Sequence, residues 1–164
     1  MTKLLMPPAP VSAGRAVPAP RTANPGPGGA VVIHPGSRRW PVERFAALAR
    51  RLHPAGTVVL TGQAAERPTA LAVAAEAGLR PDQVLAGRTT AAELAALVAG
   101  AALVVTGEPL VADLAATHGR PSVVVGGPPT TRPPGPHRAL VRHGDPDGLR
   151  IGVDEVLEAC VAVL

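Results

Sequence analysis

The sequence predicts an α/β fold, a Rossmann-like, doubly wound parallel sheet of about six strands. Three observations carry this expectation. Short runs rich in Val, Ile and Leu recur along the chain, bounded by Gly, Pro or polar residues. Between them lie stretches whose apolar residues follow the helical period. The runs are continuously apolar rather than alternating, which suits strands covered on both faces. At 164 residues the chain is long enough for one domain with its own core.

The elements are read in chain order. Residues 1–29 hold seven prolines, four glycines and no acid, so they sustain neither a helix nor a central strand. They are expected to form a disordered tail or a linker. The domain proper is expected over 30–164. Strands are predicted at AVVIH (30–34), TVVLT (57–61), QVLAG (83–87), ALVVT (102–106), PSVVV (121–125) and HRALVR (137–142). A helix over PVERFAALARRL places Phe45, Leu48, Ala49 and Leu52 on one face, with Arg44, Arg50 and Arg51 off it. Pro41 opens that helix where its missing N–H matters little. A second helix follows Pro68 and ends near Gly78. A third begins at Thr90 with Glu93 at capping-box spacing and buries Leu94, Leu97 and Val98. Another follows the strand at 102–106. In the last, Val153, Val156, Leu157, Cys160, Val161 and Leu164 form a stripe at i, i+3, i+4 spacing.

If the strands take the common order 3-2-1-4-5-6, the topological switch falls between the first and the fourth. Ligands of such sheets bind in the crevice beyond the C-terminal ends of those strands. That rule selects HPGSRRWP (34–41) and TGEPLVAD (106–113), with TGQAAE (61–66) beside them.

In the first loop Gly36 permits close backbone approach, Ser37 offers a hydroxyl, and Arg38 and Arg39 supply guanidinium groups that suit phosphate. The same arginines are equally compatible with simple solvation. Glu66 stands where an acid commonly accepts hydrogen bonds from ribose hydroxyls; it also suits a helix N-terminus that favours negative charge. The third loop, with Glu108, Pro109 and Leu110, lacks the glycines and free N–H groups of a phosphate cradle. His34, His53, His118, His137 and His143 show no triad spacing, and His34 reads as a packed or loop residue. Cys160 lies on an apolar helix face and reads as inert core. No Walker-type loop or glycine-rich dinucleotide fingerprint is present.

Composition narrows the function classes. Phe45 and Trp40 are the only aromatic residues, which argues against base stacking on a nucleic-acid surface. The net charge of +4 comes from basic residues that are scattered and, Lys3 apart, all arginine. A GC-rich genome explains the bias, and anion binding is the functional alternative. One cysteine and dispersed histidines form no disulfide framework or zinc pattern, so no cofactor or metal is expected. No apolar run approaches the ~20 residues of a membrane span. No signal peptide is evident, and a cytoplasmic location is expected.

HPGSRRWPVERFAALARRL, VVLTGQAAE, LAGRTTAAELAALVAGAALVV and DLAATHGRPSVVVGGP together resemble the C-terminal domain of glycosyltransferase family 9, the lipopolysaccharide heptosyltransferase family. The similarity runs from residue 31 to about 160 and rests on several motifs at matching separations. It implies the C-terminal half of a GT-B fold. That half binds an ADP-sugar or similar nucleotide-sugar donor, and the other half binds the acceptor and supplies the catalytic base. The reaction it implies is metal-independent, inverting sugar transfer. Donor-binding residues implied are Ser37, Arg38 at the diphosphate, Gly62, Glu66 at the ribose, and Glu108, Pro109, Leu110 and Asp113 at the turn after the fourth strand.

That turn departs from the family's Asp-Thr-Gly-x-x-His pattern, reading Glu108-Pro109-Leu110-Val111-Ala112-Asp113. Pro109 removes an N–H, Leu110 puts a side chain where glycine lets backbone approach, and Asp113 replaces a proton donor with a like charge. The sequence has no counterpart of the acceptor-binding domain, and its Pro-rich start resembles the connector between the two family domains. The expectation is a half-enzyme: a truncated product, a decayed gene, or a subunit partnered by a separate acceptor-binding polypeptide. The alternative is a non-catalytic domain that binds a nucleotide weakly or a protein partner.

Overall fold

The structure, a computed structural model, describes residues 29–36, 40–55, 57–127, 135–142 and 144–164. The tail expected at the start therefore lies outside the described residues, apart from Gly29.

Five strands form one sheet: β1 (Ala30–His34), β2 (Val58–Leu60), β3 (Ala101–Thr106), β4 (Ser122–Val125) and β5 (His137–Leu140). Their order is β2-β1-β3-β4-β5, and every pairing is parallel. The expected strand at 83–87 reduces to one parallel bridge, Val84 to Leu60, on the outer side of β2. The Leu85 and Gly87 amides still donate to the Leu60 and Gly62 carbonyls, at 2.7 and 2.9 Å. Counting that segment, the order is the 3-2-1-4-5-6 of the sequence expectation. The expected run at 137–142 ends at Leu140, and Arg142 turns back into an antiparallel bridge with Asp145.

The helices are α1 (Val42–Leu52), α2 (Arg67–Ala77), α3 (Ala91–Ala99), α4 (Pro109–Thr117) and α5 (Val153–Val163). Their ends follow from local chemistry. The Pro41 carbonyl accepts from the amides of Arg44 and Phe45, so the proline closes the start of α1 without needing an N–H of its own. Gly78, at φ 72°, gives α2 a left-handed C-cap. Thr90 and Glu93 form the expected reciprocal cap of α3. The Glu93 amide donates to Thr90 Oγ1 at 3.2 Å, and the Thr90 amide donates to Glu93 Oε2 at 2.7 Å.

Alternation along the strands divides the core in two. Val31 and Ile33 point to one face, where Leu103, Val105, Val123 and Val125 join residues of α1, α2 and α5. Ala30 and Val32 point to the other, where Val59 and Val104 meet Val98 of α3 and Val111 and Ala115 of α4. Right-handed crossovers impose this division. The chain moves outward from β1 through α1 and α2 on one face, and returns to β3 and β4 through α3 and α4 on the other. Burial on both sides explains why the strands lack polar alternation.

Two helical stripes sit differently from expectation. Only Val98 of α3 is fully buried, while Leu94 and Leu97 are partly buried against the second cluster. In α5 the buried row is Val156, Ala159, Cys160 and Val163, and Val161 and Leu164 are each 70% exposed. Leu157 is partly buried against the first cluster, whereas Val161 and Leu164 keep helical spacing but lie off the contact face.

Candidate functional site

The C-terminal ends of β1, β2 and β3, with the 84–90 segment, open on one cavity of about 730 Å³. It lies at the switch in strand order, where the chain leaves β1 in one direction for β2 and in the other for β3. Three helix starts face it: the 64–66 turn leading into α2, the start of α3 and the start of α4.

Glu66 is held at the rim with its side chain 15% exposed. Its Oε2 accepts the Gln63 amide at 2.7 Å and stands 3.6 Å from Nε2 of His34. Gly62 makes room for this arrangement, since a Cβ there would come within 2.9 Å of the same oxygen. His34, the last residue of β1, is buried, and its Nδ1 pairs with Thr61 Oγ1 at 3.1 Å. Burial pushes the imidazole below its ordinary value of 6.5, against the raising influence of Glu66 and Glu108. The geometry thus places the His34 imidazole, the Glu66 carboxylate and the Glu108 side chain around one space.

The turn after β3 uses its own donors. The Gly107 amide donates to the His34 carbonyl at 3.0 Å. The Glu108 amide donates to Thr106 Oγ1 at 2.8 Å, and that hydroxyl donates back to the Glu108 carbonyl at 3.2 Å. Pro109 has no N–H. Leu110, 78% exposed, stands at the cavity mouth. The close approach at Gly36, expected from sequence, is made by Glu108. A Cβ on Gly36 would lie 2.5 Å from Glu108 Cγ, and the glycine holds φ +68°.

Of the residues singled out in the sequence, Gly62, Glu66, Glu108 and Leu110 line the cavity together. Pro109 is the first residue of α4, and Asp113, a turn further on, is exposed; neither lines the cavity. Ser37 and Arg38 lie outside the described residues, as does Arg39. Sequence reasoning passed over His34, Thr69, Thr89, Thr90 and Leu94, which also line it. The signal for Thr89 and Thr90 was present, because the segment after Val84 is the outer neighbour of β2 and opens on the same rim. His34 carried a weaker signal, its place at the end of a switch-point strand.

Most described arginines have partners within the chain. Arg44 donates to the Leu149 and Ile151 carbonyls, Arg50 to that of Glu76, and Arg67 to that of Ala86. Arg51, Arg80 and Arg142 pair with Asp154, Asp82 and Glu155. Among the described residues, no group of acids, histidines and cysteine is arranged to hold a metal ion, and no helix is long and apolar enough to cross a membrane.

Fold and cavity together define a domain of the doubly wound α/β class with a cavity at its switch point. The model of glycosyltransferase family 9 (heptosyltransferase) matches residues 16–142, more than half of the chain, and the chain belongs to that family. No curated protein sequence matches it significantly. Among solved structures it is similar to the E. coli ADP-heptose lps heptosyltransferase II, at 26% identity and a TM-score of 0.68, over 82% of this chain and 46% of that one. The E. coli heptosyltransferase WaaC with ADP aligns at 26% identity and a TM-score of 0.60, over 79% of this chain and 42% of that one. A family 9 glycosyl transferase from Veillonella parvula DSM 2008 shares the fold, at 23% identity and a TM-score of 0.67, over 82% of this chain and 46% of that one. The chain spans less than half the length of these solved relatives. The sheet and its flanking helices are similar to those of GT-B heptosyltransferases.

Proposed function

We propose that residues 30–164 form the donor-side domain of a glycosyltransferase, and that the cavity binds the nucleotide of a nucleotide-sugar, an ADP-sugar first among the candidates. One observation carries the reading. Glu66 stands at the switch-point cavity with Oε2 fixed by the Gln63 amide, which holds the carboxylate in place for the hydroxyls of a ribose. The E. coli relative WaaC was solved with ADP, which supports the ligand class.

In the proposed reaction an acceptor hydroxyl displaces the nucleoside diphosphate from the sugar's anomeric carbon, with inversion and without a metal. The base comes from an acceptor-binding domain, and no residue of this chain is assigned that role. The donor domain's part is to hold the leaving group and offset its growing charge.

Calorimetry with ADP, UDP and GDP, each with and without an attached sugar, tests this. The expected result is a dissociation constant of about a millimolar or tighter for one nucleotide, lost in Glu66→Ala. No binding by any of them sinks the proposal. The committed amides of the 107–109 turn favour a second reading, a non-catalytic domain that binds a nucleotide weakly. Nucleotide binding without sugar transfer, in the presence of an acceptor-binding domain, selects that reading.

A further inference from the structure

Asp145 is buried, and among the described residues no cation pairs with it. Its carboxylate serves the main chain instead. Oδ1 accepts the Leu149 amide and Oδ2 accepts the Arg150 amide, each at 2.8 Å. Taking a carboxylate out of water is costly unless its oxygens are hydrogen-bonded, as these are. Asn at this position supplies one acceptor and turns an N–H group towards the other amide, so the turn calls for the acid. The Asp145 main chain closes the same turn. Its amide donates to the Arg142 carbonyl, and its carbonyl accepts the Gly148 amide, both at 3.1 Å.

The turn presents carbonyls to the start of α1. The Leu149 carbonyl accepts from Arg44 at 2.6 Å, and the Ile151 carbonyl accepts from both Arg44 and the Trp40 indole at 2.9 Å. From the other side the turn is seated on the end of β4. The Gly127 amide donates to the Pro146 carbonyl at 2.7 Å, and a Cβ on Gly126 would come within 3.0 Å of that oxygen. Backbone packed this closely has little room to slide. The connection from β1 to α1 begins at the cavity, which His34 and Gly36 line, and reaches the turn at Trp40. Only Ser37, Arg38 and Arg39 separate Gly36 from Trp40, so an end fixed at Trp40 limits where the cavity end can sit.

We propose that Asp145 is a positioning residue for the cavity: by shaping the 145–151 turn it seats Trp40 and thereby fixes the connection from β1 to α1. Asp145 does not line the cavity, so its influence passes through the Leu149 and Ile151 carbonyls to Arg44 and Trp40. The effect on ligand binding rests on the nucleotide reading above, whereas the seating of Trp40 is independent of it.

Trp40 is the sole tryptophan and the chain has no tyrosine, so the intrinsic fluorescence of the full chain reports this one seat. The test compares the wild type with Asp145→Asn and Asp145→Ala, each shown to be folded by circular dichroism. Val163→Ala, a truncation at the other end of α5, serves as the control for a general loss of stability. In both Asp145 variants the emission is expected to move to longer wavelength and acrylamide quenching to rise, with Val163→Ala like the wild type. The dissociation constant of whichever of ADP, UDP and GDP binds the wild type best is expected to weaken about fivefold or more in the Asp145 variants and to hold in Val163→Ala. Unchanged Trp40 emission and quenching in a folded Asp145 variant overturns the proposal, as does an equal change in Val163→Ala. Altered emission with undiminished nucleotide affinity overturns the link from the turn to the cavity and leaves the donor-site reading standing. Failure of the wild type to bind any of the three overturns the donor-site reading and with it the link to binding, while the fluorescence still decides the seating of Trp40.

Discussion

Glu108 lies over the Cα of Gly36, so close that a methyl group on the glycine would meet Glu108 Cγ at 2.5 Å. The two residues lie at the C-terminal ends of adjacent strands, β1 and β3, whose register pairs His34 with Thr106. Gly36→Ala therefore carries two penalties, a left-handed φ of +68° and a collision. Together they are expected to lower stability by about 2–4 kcal/mol. Replacing Glu108 with Ala in the same chain removes the collision and leaves the backbone strain of about 1 kcal/mol. A double-mutant cycle in urea measures the coupling, and simple additivity would show that the two side chains do not meet.

Trp40 anchors the far end of the same loop. Its indole N–H donates to the Ile151 carbonyl at 2.9 Å, and its ring meets Phe45 edge-on with centroids 4.6 Å apart. Arg44 donates to the same carbonyl, so Trp40→Phe leaves that oxygen paired and is expected to cost about 1 kcal/mol. Trp40→Ala removes the packing as well and is expected to cost about 3–5 kcal/mol. Equal losses in chemical denaturation would mean that the hydrogen bond, not the ring, holds the segment.

The histidine at the cavity gives stability a pH dependence. Burial keeps the His34 imidazole below 6.5 in the folded protein, so folding favours its neutral form. As pH falls through 6.5 the unfolded chain takes up a proton that the folded chain resists, and stability declines until the lowered folded value is reached. Melting temperatures from about pH 8 to pH 5 should fall less steeply in His34→Gln than in the wild type. Parallel profiles would rule out His34 as the source.

Cys160 is fully buried in α5, and burial pushes its thiol up to about 12. The thiolate is the reactive form, so labelling by a disulfide reagent at neutral pH should proceed only through opening of the fold. The labelling rate should track the unfolding equilibrium as urea is added. Fast stoichiometric labelling in the native state would place the side chain at the surface.

The layered architecture was legible because β1 to β4 are apolar runs and the stretches that join β1 to β2 and β3 to β4 carry a helical period. The strand order was assumed to be the common doubly wound one, and the structure follows it once the bridge at Val84 is counted. Detail failed where local pattern does not determine geometry. Val161 and Leu164 share the spacing of the buried row of α5, and only the direction of docking separates the two rows. The 83–87 run has strand composition, yet at the sheet edge it forms a single bridge. Within the site, Glu66 and the turn at 107–110 could be read from their places beyond strands. The role of His34 depends on Glu66 lying 3.6 Å away, from a residue 32 positions along the chain. The engagement of the Glu108 amide by Thr106 is likewise a matter of coordinates.

The helix starts around the cavity are closed by side chains of their own segments: Glu66 on Gln63, Glu93 on Thr90, Thr106 on Glu108. Such a rim is set before anything enters it, and its backbone has little left to freeze. Deuterium uptake at residues 63, 90 and 108 should already be slow in the free protein and change little when the cavity fills. Whatever slows on ligand entry will map to other segments.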